Sequence, residues 1–391
     1  MTALEGILVI DTSQLLPGSL CSQMLADLGA RVIKIEGLKG DGFRQSTPLV
    51  GASGSYFQIL NRNKLGMCLN LKEEEGRSVL KEIILKADVF LESCRPGTMD
   101  DIGLGYDDLK KLNPRLIYCS LTGFGQDGPY RDRAAHDINL SALAGVLELL
   151  GDEHGKPPVP SIQIGGAGGG SFVAAIGILA ALLGRTQTGR GEYLDVAILD
   201  GLTPFMSLAM SQQLAGRDLN SGEKNRLKGG YASYNIYMTE DERYIAVGCL
   251  EESTWREFCE AIGRPDFIPD LHAPPERQAG MKALLEDMFR QKARAEWMDI
   301  FGRFNTCVSP VNNLEEAADD PQVRARGLWF SGRHPVDGEV PQQAFPIKYR
   351  ENQPGWRSHP PSLGEHTDEI LKEFGFDEAR IRSLRERGII L

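Results

Sequence analysis

Two places in this sequence carry side chains suited to proton transfer. His136 and Asp137 are adjacent, and Glu251 follows a predicted strand beside Glu252. Imidazole and carboxylate groups are the ones that most often move protons in enzymes. Adjacent side chains diverge on a helix, however, so the spacing favours Asp137 as the cap of a predicted helix at 137–150. His136, Asp137 and Glu251 stay as candidates.

Glycine-rich segments are the second chemical signal. Residues 123–128 match G-x-G-x-x-G, but Pro129 and charged residues follow where a dinucleotide-binding fold needs an apolar helix, which argues against nicotinamide or flavin binding. The glycine cluster at 165–170 opens a predicted helix and offers backbone N–H groups to an anion. Close packing between backbones is the favoured explanation, and the residues that follow do not match a P-loop.

Strands and helices alternate through the first half of the chain. A buried strand at 6–12, a helix ending at Leu28 and a strand at 32–36 form one strand–helix–strand unit. Further helix–strand pairs follow as far as a strand at 193–197. This alternation predicts an α/β fold around a parallel sheet.

The pattern changes after a polar linker predicted at 216–228. Segments 234–237 and 244–247 flank a short polar turn and predict a hairpin, and a helix ending at Gly263 follows. We therefore predict a second, smaller α+β domain at 225–325.

Composition limits the class of function. Lys and Arg number 43 against 54 Asp and Glu, a formal charge of −11 that argues against non-specific nucleic-acid binding. Seven scattered cysteines without CxxC spacing predict neither a disulfide framework nor a zinc site, and we expect no metal. The apolar stretch 172–183 is shorter than the roughly 20 residues of a membrane helix. We expect a cytoplasmic protein with no membrane partner.

Motifs spread along the whole chain carry a family resemblance. The chain resembles the family III CoA-transferases, the carnitine and bile-acid CoA-transferase family that includes α-methylacyl-CoA racemase. The matching motifs include Leu25-Ala26-Asp27-Leu28-Gly29-Ala30, Asn61-Arg62-Asn63-Lys64, Arg95-Pro96-Gly97, Gly123-Phe124-Gly125-Gln126-Asp127-Gly128-Pro129, His136-Asp137-Ile138-Asn139, Thr188-Gly189-Arg190-Gly191 and Leu363-Gly364-Glu365-His366-Thr367.

The resemblance implies an architecture for the chain. It implies a large Rossmann-like domain at 1–215, the small domain at 225–325, and a C-terminal segment at 326–391 that returns to the large domain. It also implies an interlocked dimer, in which two chains thread through each other.

The resemblance also implies a chemistry that depends on one carboxylate. In the transferases an Asp before the glycine cluster attacks the acyl-CoA thioester as a nucleophile, and in the racemases an Asp there works with a His on the α-proton. Alignment by eye places Gly166 at that position. Glycine has no side chain, so we expect no catalytic residue in this chain.

Three positions that are usually basic in the family differ here. They are Gly37, Leu65 and Asp101, and in the family such residues typically face the CoA phosphates. Lys64 and Arg95 lie in matching motifs and remain as candidate CoA ligands. The losses predict a chain whose own CoA site has decayed, so that the partner binds CoA or acyl-CoA as substrate.

These observations leave three functions open. The chain most resembles the non-catalytic subunit of a heteromeric CoA-transferase such as succinyl-CoA–benzylsuccinate CoA-transferase of anaerobic toluene breakdown, with a homologous catalytic partner that keeps the Asp. The alternative is an α-methylacyl-CoA racemase or epimerase that uses His136 and Glu251 as bases. The third is a binding protein without a catalytic assembly, or an unconventional homomeric transferase.

Overall fold

The computed structural model describes residues 2–151, 155–216 and 226–391. Its strands, in chain order, are β1 Leu8–Asp11, β2 Arg31–Glu36, β3 Leu49–Val50, β4 Ser53–Gly54, β5 Lys64–Cys68, β6 Val89–Glu92, β7 Ile117–Thr122, β8 Tyr193–Ala197, β9 Tyr234–Met238, β10 Tyr244–Gly248, β11 Val308–Pro310, β12 Trp329–His334 and β13 Gly338–Gln343.

The α-helices of the described residues are α1 Leu15–Asp27, α2 Ser55–Leu60, α3 Glu74–Ile84, α4 Thr98–Asp101, α5 Tyr106–Leu112, α6 Asp137–Leu143, α7 Val146–Leu149, α8 Val173–Thr188, α9 Ile198–Leu202, α10 Ser207–Leu214, α11 Glu252–Ala261, α12 Pro275–Phe289, α13 Arg294–Phe301, α14 Leu314–Asp319, α15 Pro321–Ala325, α16 Thr367–Glu373 and α17 Glu378–Glu386. A π-helical segment, Ile164–Phe172, leads directly into α8.

The chain divides into two compact units. The first contains the described parts of Met1–Leu147, Val159–Phe205 and Gln322–Leu391, and the second those of Glu148–Pro158 and Met206–Pro321. The limits predicted from sequence, 1–215, 225–325 and 326–391, are close to these but differ at each junction, and they stay a prediction. Most of the predicted linker at 216–228 lies outside the described residues.

A six-stranded parallel sheet organises the first unit, which confirms the predicted α/β class. The strand order is β5-β2-β1-β6-β7-β8. The chain moves outward from β1 through β2 to β5 and then returns to lay down β6, β7 and β8 on the other side. In sheets of this kind ligands bind beyond the carboxyl ends of the strands, near the point where the order reverses.

The core of the first unit follows the helical periodicity of its sequence. Val79, Leu80, Ile83 and Ile84 of α3 are all fully buried, as their spacing predicts. They pack in one cluster with apolar residues of the central strands and of α16 and α17. Burial of such side chains contributes about 1.5–3 kcal/mol each.

The C-terminal segment returns to the first unit, as predicted. The N–H of His366 donates to the carbonyl oxygen of Gly66 in β5 at 2.9 Å. Upstream, the N–H of Asn63 donates to Ser358 O at 3.1 Å. These main-chain bonds attach the segment to the edge of the sheet.

The second unit is a three-stranded antiparallel sheet covered by helices. Its order is β11-β10-β9, and the pairing of β9 with β10 is the predicted hairpin. Large aromatic side chains fill its core; Trp255, Phe258 and Phe289 are almost fully buried. This is the predicted α+β composition.

The π-helical segment and α8 form one apolar helix from Ile164 to Thr188, longer than the stretch 172–183 recognised in the sequence. Among the described residues it is the one helix whose length and composition would allow it to cross a membrane. Nearly half of its most apolar part is buried within the protein. Core helices of soluble proteins share this property, so the helix is weak support for a membrane span.

Candidate functional site

The glycine cluster lets the π-helical segment approach α9 closely. A Cβ added to Gly201 would lie 1.9 Å from the carbonyl oxygen of Gly169, and one added to Gly169 would lie 2.7 Å from Ile198 O. Both contacts are with backbone atoms that cannot move aside cheaply. Backbone packing therefore explains these glycines, in agreement with the explanation favoured from the sequence.

Gly166 lies where the segment packs against the start of α1 and the start of α6. Its N–H donates to Asp137 Oδ1 at 2.6 Å. A Cβ at this position would lie 2.9 Å from Leu16 Cδ2 and 3.7 Å from Asp137 Oδ1. The space beside Gly166 is therefore bordered by a leucine methyl group and by a carboxylate from another helix.

The structure assigns Asp137 a different structural role from the one predicted. The predicted helix 137–150 is broken into α6 and α7 around Gly145, whose φ of +85° is left-handed. His136, not Asp137, is the N-cap residue of α6. The Asp137 carboxylate instead accepts from Gly166 N–H and from Ser141 Oγ at 3.3 Å, so it caps the first turn of the long apolar helix.

His136 and Glu251 lie in different units. The His136 side chain is exposed, and its backbone N–H donates to Asn139 Oδ1 at 3.1 Å. Glu251 is the exposed N-cap residue of α11, and its carbonyl oxygen accepts from Thr254 Oγ1 at 3.1 Å. Their pairing as two bases stays a prediction.

Lys64 lies in a buried polar layer between the sheet and α1. Its Nζ donates to Ser19 O at 2.9 Å and Asn61 Oδ1 at 2.8 Å, and lies 3.5 Å from Asp11 Oδ2. Burial lowers the pKa of Lys64 to about 7, although Asp11 acts in the opposite direction. An ammonium group held in this way is not at the surface, where a CoA phosphate would need it.

A second lysine completes this layer. Lys34 is also fully buried, and its Nζ lies 3.1 Å from Asp41 Oδ2 and 2.9 Å from Ser13 O. Asp41 accepts as well from the N–H of Leu15, a residue with a left-handed φ of +60°. The layer thus fixes the loop between β1 and α1 and the first turn of α1, where Leu16 lies beside Gly166.

The other predicted CoA ligand, Arg95, is exposed beside a cavity of about 200 Å³ in the first unit. Three carboxylic acids, Glu92, Asp100 and Asp107, also line this cavity. Glu92 accepts from the Ser120 hydroxyl and from Cys94 N–H. Burial raises the pKa of Glu92 to about 7. Acids therefore outnumber the single arginine.

The three positions at which the resemblance implies a lost basic residue are exposed or half-buried. Gly37 and Asp101 are exposed, and Leu65 is half-buried in β5. Leu65 packs against the hydrophobic core. A basic side chain at position 37 or 101 would lie at the surface, whereas Lys64 is buried.

Sequence reasoning missed Glu92 and the pair Asp11 and Lys34. Glu92 directly follows the predicted strand 89–91, and a polar residue at the carboxyl end of a parallel strand is a signal for a site. Lys34 alternates with isoleucines in β2, a pattern that normally indicates an exposed lysine on a half-buried strand. Both faces of this strand are buried here, so the pattern misleads.

The parallel sheet with helices around it places the chain in the α/β class of proteins. Comparison with known proteins gives the family. The model of CoA-transferase family III matches residues 4–367. The chain belongs to this family, which confirms the resemblance found in the sequence.

The similar proteins include both racemases and transferases. The chain is 35% identical to the α-methylacyl-CoA racemase of Homo sapiens over 99% of its own length and 97% of that protein. It is 31% identical to the succinyl-CoA:glutarate CoA-transferase of Mus musculus over 100% of its own length and 91% of that protein. A CaiB/BaiF family protein from Brucella suis superposes with a TM-score of 0.83 at 29% identity, covering 95% of this chain and 99% of that one.

Proposed function

We propose that the chain is the non-catalytic subunit of a heteromeric family III CoA-transferase. The complex moves CoA from an acyl-CoA, such as succinyl-CoA, to an organic acid, and an aromatic succinate is the acceptor we expect. The observation that carries the proposal is Gly166, which offers no carboxylate where the family has its nucleophile. Leu16 and the carboxylate of Asp137 border the place that a side chain would take.

The charges around the cavity of the first unit support the proposal that the partner, and not this chain, binds CoA. CoA carries several phosphate charges, and each charge-assisted contact to phosphate contributes roughly 0.3–1 kcal/mol when exposed. No such contact to phosphate can come from the side chains at Gly37, Leu65 and Asp101, and the ammonium group of Lys64 is buried against Asp11. The cavity that Arg95 lines is acidic, so it disfavours a polyanion.

An interlocked dimer with a homologous catalytic chain fits the surface of the first unit. Ile176 and Leu183 of α8 are 66% and 68% exposed, and Phe172 before them is 43% exposed. Apolar side chains grouped on one long helix are typical of a protein–protein interface. A diverged pair can inherit the interface that two identical chains share.

Native mass spectrometry of the tagged chain, taken from its own host without overproduction, tests this assembly. We expect a complex of twice or four times the chain mass that contains a second, distinct family member with an Asp at the aligned position. A homodimer that turns over acyl-CoA by itself contradicts the proposal.

Racemisation is the second candidate, favoured by the exposed imidazole of His136 and by the racemase relative. On this hypothesis His136 and Glu251 act as the two bases on the α-carbon of an acyl-CoA. Deuterium wash-in at that carbon, catalysed by the pure chain and lost in His136→Ala, would establish it. Binding of the ester without wash-in would dismiss it.

A further inference from the structure

Strand β5 forms one edge of the parallel sheet, and the C-terminal segment covers it. Directly after β5, the N–H of Leu69 donates to Glu36 O of β2 at 2.7 Å. The N–H groups of Gly66 and Cys68 face the other way, toward the segment. An uncovered edge of this kind pairs with strands of other chains. The contacts of these two N–H groups therefore decide whether the edge is closed.

The motif at 363–367 closes this edge with side chains. The N–H of Gly66 donates to His366 Nδ1 at 3.2 Å, and the N–H of Cys68 donates to Thr367 Oγ1 at 3.1 Å. The N–H of His366 in turn donates to Gly66 O at 2.9 Å. A ring nitrogen and a hydroxyl thus take the place of the carbonyl groups that a further strand would supply. The proposed function uses neither residue.

Of these two acceptors, only the histidine ring can change its charge near neutral pH. Because Nδ1 of His366 accepts from Gly66, the ring has its proton on Nε2. A histidinium ring carries a proton on both nitrogens and has no acceptor left. Protonation of His366 therefore breaks its bond to Gly66 and turns two N–H groups toward each other.

Two further features hold the segment against β5. A Cβ added to Gly66 would lie 2.9 Å from Pro361 Cβ and 3.0 Å from Ser362 O, so the segment packs directly on the strand. Nδ1 of His334 accepts from two backbone N–H groups of its own turn, so its Nε2 carries the proton and donates to Pro360 O at 3.1 Å. The Nε2–H group is present in both charge states of the ring, so this contact survives at low pH.

Glu365 lies beside His366 and attracts the proton. Its carboxylate accepts from Ser362 N–H at 2.7 Å and lies 3.9 Å from His366 Nε2. Burial acts to raise the pKa of Glu365, but the Ser362 N–H and the His359 ring hold it below its usual range, so the carboxylate stays ionised near neutral pH. Glu365 precedes His366 in the chain and remains beside it when the segment detaches. Its attraction therefore acts in both states, whereas the bond to Gly66 opposes protonation only in the attached state.

The remaining charges do not reverse this direction. His359 Nε2 lies 3.0 Å from Glu365 Oε1, and both residues belong to the segment. Protonation of His359 therefore strengthens a contact within the segment, not one to β5. The other titratable or charged groups around the motif and β5 are Glu36, Arg44, Cys68, His334, Asp337, Asp368 and Arg385.

We propose that Glu365, His366 and Thr367 form an acid-sensitive latch, which closes the edge of β5 at neutral pH and loosens as the pH falls toward about 5.5. The attached state binds the proton of His366 less tightly than the detached state, so attachment weakens as the pH falls. Loosening leaves Gly66 N–H without its acceptor and opens the edge to strand addition. Helices α16 and α17 stay in the core cluster, which confines the change to the stretch before them.

Hydrogen–deuterium exchange of the full chain, measured by mass spectrometry on peptides that cover β5, tests the latch. Protection factors are corrected for the intrinsic pH dependence of amide exchange. We expect those of β5 to fall about tenfold between about pH 7.5 and 5.5, and those of the central strand β1 to stay constant. Unchanged protection of β5, or an equal loss in β1 and β5, overturns the proposal.

Variants of His366 separate its charge from its structural role. His366→Asn keeps an acceptor at the position of Nδ1 that does not titrate, so β5 should stay protected at both pH values. His366→Ala has no acceptor and should lower the protection about tenfold already at about pH 7.5. His272→Asn removes an exposed histidine of the second unit and should keep the pH dependence of the unchanged chain. If His366→Asn loses protection at low pH as the unchanged chain does, the proposal is wrong.

Discussion

Restoring a carboxylate at position 166 is the most direct perturbation of the candidate site. Gly166→Asp places an acid within reach of Asp137, because the new Cβ would lie 3.7 Å from Asp137 Oδ1. Leu16 Cδ2, at 2.9 Å, is the end of a flexible side chain and can move aside. We therefore expect the variant to fold, but at a cost set by repulsion between the two carboxylates.

The size of that cost follows from Coulomb's law. Two unit charges about 4 Å apart interact by about 4 kcal/mol at an effective dielectric constant of 20. Asp137 is only half-buried, and solvent screening reduces this to about 1–3 kcal/mol. The repulsion raises the pKa of the new carboxyl. The folded state then binds its proton more tightly than the unfolded state, so the penalty is full at neutral pH and disappears as the pH falls.

A double-mutant cycle of Gly166→Asp with Asp137→Asn measures the repulsion. Urea unfolding at pH 7.5 should give a coupling energy of about 1–3 kcal/mol, in the sense that Asp137→Asn rescues Gly166→Asp, and a smaller coupling at pH 5. Asp137→Asn keeps a side-chain oxygen for the Gly166 N–H, so the cap is largely preserved. Additive effects at both pH values would refute the reasoning.

The same variants report on function. We expect no transferase turnover of succinyl-CoA by Gly166→Asp alone, because positions 37, 65 and 101 would still lack the basic residues that in the family typically face the CoA phosphates. Measurable turnover by this single variant would count heavily against a non-catalytic subunit.

Three further changes have outcomes that the structure determines. Lys64 has a pKa of about 7 in the folded state against 10.5 in the unfolded state. Its contribution to the free energy of unfolding therefore rises with pH between these values, by at most about 1.4 kcal/mol per pH unit. Lys64→Met should remove this slope from urea unfolding, and an unchanged slope would contradict the prediction. Arg62→Met removes the ion-pair partner of the buried Asp27 carboxylate at 2.5 Å and leaves the Asn63 amide, at 2.7 Å, as a side-chain donor. The variant should cost about 3–5 kcal/mol at pH 7, and a loss below about 1 kcal/mol would contradict this reasoning. Gly201→Ala places a methyl group 1.9 Å from a backbone oxygen and should lower the free energy of unfolding by about 3 kcal/mol or more. Gly184→Ala, in open space on α8, is the control and should be neutral or stabilising. Thermal unfolding of both variants checks this.

Local patterns in the sequence were sufficient to predict the layers of the fold. The alternation of strands and helices gave the parallel sheet, and the spacing of Val79, Leu80, Ile83 and Ile84 gave the buried face of α3. These patterns are local because strand and helix periods span only a few residues. Pairing within the hairpin β9–β10 is local as well, since a short turn joins its strands.

The contacts at the site could not be predicted in this way. Asp137 and Gly166 are 29 residues apart, and no periodicity links them. The break at Gly145 shortens the predicted helix to α6, and His136 rather than Asp137 is its N-cap residue. Lys34 has the pattern of an exposed strand residue, and only the packing of α1 over the sheet shows that it is buried.

The fold around Gly166 needs no side chain at this position, because Asp137 satisfies the backbone. The first N–H groups of a helix have no partner within the helix, and the N–H of Gly166 is one of them for the long helix that ends at Thr188. Asp137 accepts from it and places negative charge at the positive end of the helix dipole. Gly166 itself has no left-handed φ, so the backbone does not demand glycine there. The architecture therefore tolerates glycine at position 166, as the proposed non-catalytic subunit requires.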